Sequence, residues 1–359
     1  MRTAAAALYG LALWATCASA TAPSEGMIEL TLRGQKLQGT PLWWGSGEVH
    51  LLGRDGRLWE FRPEEARHFR KSASHFFCYT PAEFRGELLR ELGEAYEVTG
   101  TGHYLVAHPR GQGDCWSDRF EDLYRSFVQY FSVRGFRPTA PPFPLVGIVC
   151  RDHDDFARYS AGEGIRASRG LMGYYHPQSN RIIVFDTGAS RNGEPWKQTA
   201  SVLIHEATHQ TAFNTGVHSR YAPPPTWVAE GLATMFEAPG VYNAREHTEA
   251  SERVNRMRLN DFRTGVVPQH RPELLAAVVA SDKLFAANPG AAYAEAWALS
   301  FFLMETEPRK YAKYLALTAA REPFSDYSAG QRTADFAAVF GGDWRMLEAR
   351  MLRFIAGIK

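Results

Sequence analysis

The chain has 359 residues, 45% hydrophobic and 22% charged, the composition of a globular protein with length for about two domains. Taking away residues 1–20 removes a single charge, Arg2, and leaves 39 basic against 39 acidic side chains. That balance gives no electrostatic footprint for nucleic acid or an anionic membrane surface, so both partner classes are set aside.

The first twenty residues stand apart. Met1-Arg2 supplies a positive start, "AAAALYGLALWA" (Ala4 to Ala15) is an almost wholly apolar run, and Ala18-Ser19-Ala20 offers small residues for cleavage before Thr21. This is the layout of a secretory signal peptide, too short to hold a membrane span, so residues 1–20 are expected to be removed and the protein exported, periplasmic or extracellular. An uncleaved N-terminal anchor is the alternative. No later segment approaches the ~18 consecutive apolar residues of a membrane span. Export permits one disulfide among Cys78, Cys115 and Cys150, in any pairing, and leaves one cysteine over. Their spacing matches no cysteine zinc module.

From Met27 to about Phe61 the pattern is that of strands. "IELTLR" alternates strictly, with Ile28, Leu30 and Leu32 against Glu29, Thr31 and Arg33. "EVHLLGRDGRLWEF" sets Arg54-Asp55-Gly56 between two apolar runs, the signal of a hairpin. "TPAEFRGELLRELG" reads as a helix, with Thr80 as N-cap, Pro81 just inside and Gly93 at its end. Residues 24–99 are therefore expected to form a small β-rich module. Trp43-Trp44 are read as core or hairpin packing, with a face toward a partner as the alternative.

Residues 100–359 are expected to form the second domain. "GTGHYLVAHP" opens it with a strand, and Phe120, Leu123, Tyr124, Phe127, Tyr130 and Phe131 make a core-facing stripe at helical spacing. "LVGIVC" is a strand of the buried type, and a helix follows from about Asp152 to Tyr159. "LMGYYHPQSNRIIVFD" is two strands joined by a turn at His176 to Asn180. Beyond Gly240 the chain is mainly helical, including "YAEAWALSFFLMETE" from Tyr293. Strands followed by many helices indicate the α+β class.

"SVLIHEATHQTAFNTG" (Ser201 to Gly216) carries the chemistry. It reads as a helix, with Pro195 in its first turn and Gly216 placed to end it. His205 and His209 are four apart, so their rings leave one face a turn apart and can grip one tetrahedral ion. Glu206 lies beside them, placed to take a proton from metal-bound water. An open catalytic metal needs a third protein ligand. The extended pattern with a third histidine fails, because positions 212 and 215 are Ala and Thr, and His218 lies past the Gly216 break. The better candidate is Glu230, on a second short helix in "PPPTWVAEGLATMFEAPG", with Thr226 as its cap and Pro239-Gly240 closing it. Glu230 faces inward if Trp227, Ala233 and Thr234 pack. The 21 residues from His209 allow a loop and an antiparallel return, giving a His₂Glu set for one Zn²⁺. An exposed carboxylate at a helix start is the bland alternative.

HEATHQ followed by P-x-W-x-x-E-G-L-A-x-x-F-E resembles the gluzincin superfamily of zinc metallopeptidases. More closely, residues 100–310 resemble an uncharacterised bacterial family of secreted peptidases, the domain of unknown function 1570 family, with the N-terminal module outside the resemblance. The resemblance implies a zincin-like fold, His205, His209 and Glu230 on zinc, and Glu206 as general base acting on a peptide or protein substrate. It also marks Tyr293, matching a tyrosine that recurs at this point in similar proteins, as the donor to the tetrahedral intermediate. His218, Tyr221 and Tyr175 are alternatives, and packing against Trp297 and Phe301 is the structural reading of Tyr293. Gluzincins often carry an Asp four residues after the ligand glutamate; here that position is Thr234, and Glu237 is the replacement on the same face. In similar peptidases a strand before the metal helix binds extended peptide, which would be "MGYYH" (Met172 to His176) here. Two competing readings use the same scaffold: a zinc hydrolase of a non-peptide amide, and a non-catalytic exported binding or assembly protein.

Overall fold

A computed structural model of the chain describes residues 26–112, 115–186, 195–269 and 274–359. The expected signal peptide at 1–20 lies outside the described residues. The chain divides into two compact units after Cys78. The first contains β1 (Met27–Leu32), β2 (Gln35–Trp44), β3 (Val49–Gly53), β4 (Leu58–Phe61) and β5 (Ala66–Ala73), in the sheet order β4-β3-β2-β1-β5 with every neighbour antiparallel. The alternation of β1 builds its core: Ile28, Leu30 and Leu32 pack with Leu37, Val49, Leu51 and Phe61. The β3–β4 turn is where the Asp-Gly pair places it, with Gly56 at φ 82°.

A bulge in β2 between Pro41 and Trp43 changes the phase of that strand. Leu37, Gly39 and Pro41 are buried, and strict alternation would bury position 43 next. The bulge turns Trp44 inward instead, edge-on to Phe61 and Phe69, and leaves Trp43 40% exposed. Core packing therefore holds for Trp44 and not for Trp43.

The second unit begins at Tyr79, not at residue 100. The Gly100-Thr101-Gly102 stretch is a hairpin turn: β6 (Tyr96–Gly100) pairs antiparallel with β7 (Tyr104–Pro109). Helix α1 (Pro81–Leu92) buries Phe84 and Leu88 in the same core as Tyr96 and Val98. It carries the expected Thr80 cap, completed by Glu83 in a capping box, and Gly93 at φ 78°. The sheet continues with β8 (Leu145–Cys150), β9 (Gly173–His176) and β10 (Arg181–Phe185), in the order β6-β7-β8-β10-β9. Strand β8 is buried on both faces and runs parallel to β7 and β10, whereas β9 is an antiparallel edge. Helix α1 and α3 (His153–Gly162, capped by Asp152) cover one face. Helices α2 (Cys115–Ser132) and α4 (Pro195–Asn214) cover the other.

The remainder is helical: α5 (Thr226–Phe236), α6 (Pro239–Tyr242), α7 (Arg256–Asp261), α8 (Leu274–Ala280), α9 (Lys283–Ala287), α10 (Pro289–Thr306), α11 (Pro308–Ala319), α12 (Ala329–Phe340) and α13 (Trp344–Ala356). They share one apolar core built on Trp227, Trp297, Phe302, Tyr311, Tyr314 and Phe336. Two local details differ from expectation. Thr226 is the first helical residue of α5 and not its cap; its N–H is received by the Asp282 carboxylate, 3.0 Å away. Pro239 does not close α5 but opens α6. The fold is α+β, with an N-terminal β module and a helical C-terminal part. Among the described residues, no helix is long and apolar enough to cross a membrane. Cys78 and Cys150 are free thiols, and the side chain of Cys115 lies outside the described residues.

Candidate metal centre

Helix α4 is squeezed between two cores. Leu203 and Ala207 pack toward the sheet, while Ile204 and Ala212 pack toward the helical core. Between these apolar edges runs the strip that carries His205 and His209. Gln210, fully buried, fixes the helix to the sheet by donating to the carbonyls of Val146 (3.0 Å) and Asn180 (2.8 Å). Asn180 offers that carbonyl from a left-handed turn residue, φ 59°, at the start of β10.

Helix α5 returns beside α4 and brings Glu230 to the two histidines. Trp227, Ala233 and Thr234 are all fully buried, which sets the inward face that the sequence requires for Glu230. The Nε2 atoms of His205 and His209 are 3.1 Å apart, and Glu230 Oε2 lies 3.2 Å from the first and 3.5 Å from the second. Ligands bound tetrahedrally at ~2.0–2.1 Å stand about 3.3–3.4 Å from one another, so the triangle has the size of three zinc ligands. Two imidazoles and a carboxylate are also the donor types zinc takes. Among the described residues, these three form the cluster that could hold a metal ion.

Around the triangle the side chains are held. Glu237 accepts from His205 Nδ1 at 2.8 Å, as its position seven residues past Glu230 leads one to expect. Its other oxygen accepts from Asn255 Nδ2 at 2.8 Å, and the same amide reaches the Thr234 carbonyl at 2.9 Å. The Thr234 hydroxyl bonds back to the carbonyls of Glu230 and Gly231 and not to a histidine. Asn255 is a residue the sequence reading does not place at the site. Its only local signal is that of a helix N-cap, and its side-chain oxygen does accept from Arg258 N–H at the start of α7.

Glu206 Oε2 accepts from the backbone N–H of Tyr175 on edge strand β9, 2.7 Å away. This fixes the candidate base against the strand expected to receive peptide. Tyr293, near the start of α10, has its ring 6.4 Å from that of His205, edge-on to Phe285 and under the guanidinium of Arg258 at 5.1 Å. Of the alternatives to Tyr293, two have a polar side-chain atom bonded within the chain. Tyr175 donates its hydroxyl to Asn180, and His218 is buried with Nδ1 donating to the Val217 carbonyl. Tyr221 packs against Phe324.

The electrostatics suit a cation. Burial works against charge on His205, but hydrogen bonds to Glu230 and Glu237, with the charge of Glu206, outweigh it and push its pKa up to about 10. Burial also opposes charge on Glu230, yet the facing His209 and His205 hold its carboxyl well below the usual range. Burial raises Glu206 above an ordinary carboxylate, against the pull of both histidines. Three carboxylates thus surround two imidazoles in a poorly solvated place, an arrangement that attracts positive charge.

Two solved structures that resemble the chain are those of an M1 zinc metallopeptidase mutant from Deinococcus radiodurans, one of them bound to a Tyr-Ser-Ala substrate. Each is 14% identical and covers 73% of this chain and 51% of that chain, with TM-scores of 0.40 and 0.37. The chain thus spans about half the length of those proteins. No curated protein matches it. The resemblance read from the sequence is found again in the segment that builds the centre: residues 199–325, from within α4 through α11, match the family described as Protein of unknown function (DUF1570).

Proposed function

We propose that the chain is an exported zinc metallopeptidase, with His205, His209 and Glu230 as metal ligands and Glu206 as general base. The observation that supports it most is the triangle of His205 Nε2, His209 Nε2 and Glu230 Oε2, 3.1–3.5 Å on a side, with the Glu206 carboxylate held beside it. His205, His209 and Glu230 would hold the zinc, which when bound would supply a Lewis acid for a substrate carbonyl and lower the pKa of a bound water toward ~7. Glu206 takes a proton from the attacking water and delivers it to the leaving amine. Tyr293 donates its phenol proton toward the oxygen on which charge develops. Glu237, anchored by Asn255, holds the His205 ring with Nε2 toward the metal. Among the described residues β9 is the edge strand of its sheet, and it would receive an extended peptide beside the base, with the Tyr175 N–H already given to Glu206.

The test is elemental analysis of the purified mature protein, followed by peptide hydrolysis with and without a chelator. About one zinc per chain and chelator-sensitive cleavage are expected. Glu206→Gln should keep the zinc and lose turnover by about 10²–10⁴-fold. A Glu206→Gln protein as active as the parent would sink the mechanism, and a parent that takes up no zinc would sink the metal site.

A further inference from the structure

The first unit carries a cleft of about 960 Å³ that the zinc site does not use. Its lining includes Trp43 on β2 and Glu60 on β4, the residues that flank the buried His50 of β3 in the antiparallel register. The bulge that turns Trp43 outward puts an exposed indole on this face, while Trp44 and Phe61 close the cleft from the core side. Glu48, Glu60 and Glu65 line it with one cation, Arg62. Glu65 is matched by Arg33 at 2.8 Å. Glu48 and Glu60 are not so matched: among the described residues, the ion-pair partner near them is the buried His50, at 3.4 and 3.9 Å.

We propose that this cleft binds a lysine or arginine side chain of a basic polypeptide segment, with the cation over the Trp43 indole and between the Glu48 and Glu60 carboxylates. Each part of the lining has a reason in this reading. An indole face attracts a cation through its quadrupole, and Trp is the best of the aromatic rings for it. Two carboxylates left without a strong basic partner supply the charge complement and repel anions. A neutral sugar would use the indole but leave the excess negative charge without a role. The inference rests on the first unit alone and stands apart from the zinc reading.

The experiment is calorimetric titration of the full mature chain, carrying Glu206→Gln so that no peptide is consumed. Three probes are compared: a peptide rich in lysine and arginine, the same peptide with glutamine at those positions, and a neutral oligosaccharide. Saturable binding of the basic peptide alone is expected, weakening as salt is raised. Trp43→Ala should weaken it by about tenfold or more. The double variant Glu48→Gln, Glu60→Gln should weaken it while leaving the cleft's shape in place, which covers the case that Trp43→Ala misfolds. No binding, equal binding of the glutamine peptide, preference for the oligosaccharide, or basic-peptide binding unchanged in both variants would each overturn the proposal.

Discussion

The candidate centre depends on a small number of atoms, and two of its residues can be tested one at a time. Glu237 touches no ligand position itself; it receives His205 Nδ1–H and is in turn held by Asn255. Removing it leaves the ring free to turn and its N–H without an acceptor. Glu237→Ala should therefore bind zinc about 10–100-fold more weakly, read by competition with a chromogenic chelator. An unchanged affinity would mean the ring is held by packing alone. Tyr293→Phe removes only the hydroxyl and keeps the contacts with Phe285 and Arg258. Its kcat should fall by about 10²–10³-fold with KM and zinc content close to the parent's. An unaffected kcat would reduce Tyr293 to a packing residue. The site is legible in the sequence where geometry is local. His205 and His209 are set four apart by one helix, and Glu230 and Glu237 seven apart by another and its C-terminal cap. Asn255 is not legible, because its place beside Glu237 is a product of tertiary folding. Burial and hydrogen bonding decide the state of Glu206, and neither is written in the motif.

The same division runs through the elements. Helix α1 can be read to within a residue because Thr80, Pro81, Glu83 and Gly93 all act on their own neighbours. The cap of α5 cannot, since Asp282 supplies it from 56 residues away. The bulge in β2 defeats alternation at Trp43, and a hairpin turn rich in glycine imitates a linker at residue 100. Gly231 adds a constraint that the sequence states only as "EG". It lies where α5 crosses α10 so closely that a Cβ would stand 2.2 Å from Ser300 Oγ and 2.4 Å from the Ala296 carbonyl. Backbone atoms cannot step aside as a flexible side chain can, so the two helices must part. Gly231→Ala should cost about 1–3 kcal/mol of stability. It should also weaken zinc binding, because Glu230 is the preceding residue and Tyr293 lies on the facing helix. Urea unfolding and chelator competition on one preparation read both effects. A variant with parental stability would show that the crossing is looser than its distances.

At the scale of the molecule, the centre joins two cores: α4 belongs to the sheet layer, whereas α5 and α10 belong to the helical core that supplies Glu230 and Tyr293. Whatever loosens the helical core should open the centre. Glu295 is the group placed to do so with pH. It is 1% exposed on α10, and among the described residues neither of its oxygens has a hydrogen-bond partner. Burial first, and then the charge of Glu348 on α13, push its pKa up to about 8 from an ordinary 4.5. The sign of the linkage follows from proton counts. Between about 4.5 and about 8 the folded chain holds a proton that the unfolded chain has released, so stability falls as pH rises through that window. Below it the contribution is fully present, and above it both states are ionised and the loss is complete. The slope from one such group is about 1.4 kcal/mol per pH unit, a loss of a few kcal/mol across the window. Glu295→Gln keeps the shape and cannot ionise, so its melting temperature should vary less between pH 5 and pH 8 than the parent's. Zinc retention at the alkaline end should improve with it, since the helices that carry Glu230 and Tyr293 stay docked. Melting curves and zinc content measured together on both proteins decide the point: parallel pH profiles would mean that Glu295 is solvated or paired in solution and that the helical core is indifferent to its charge.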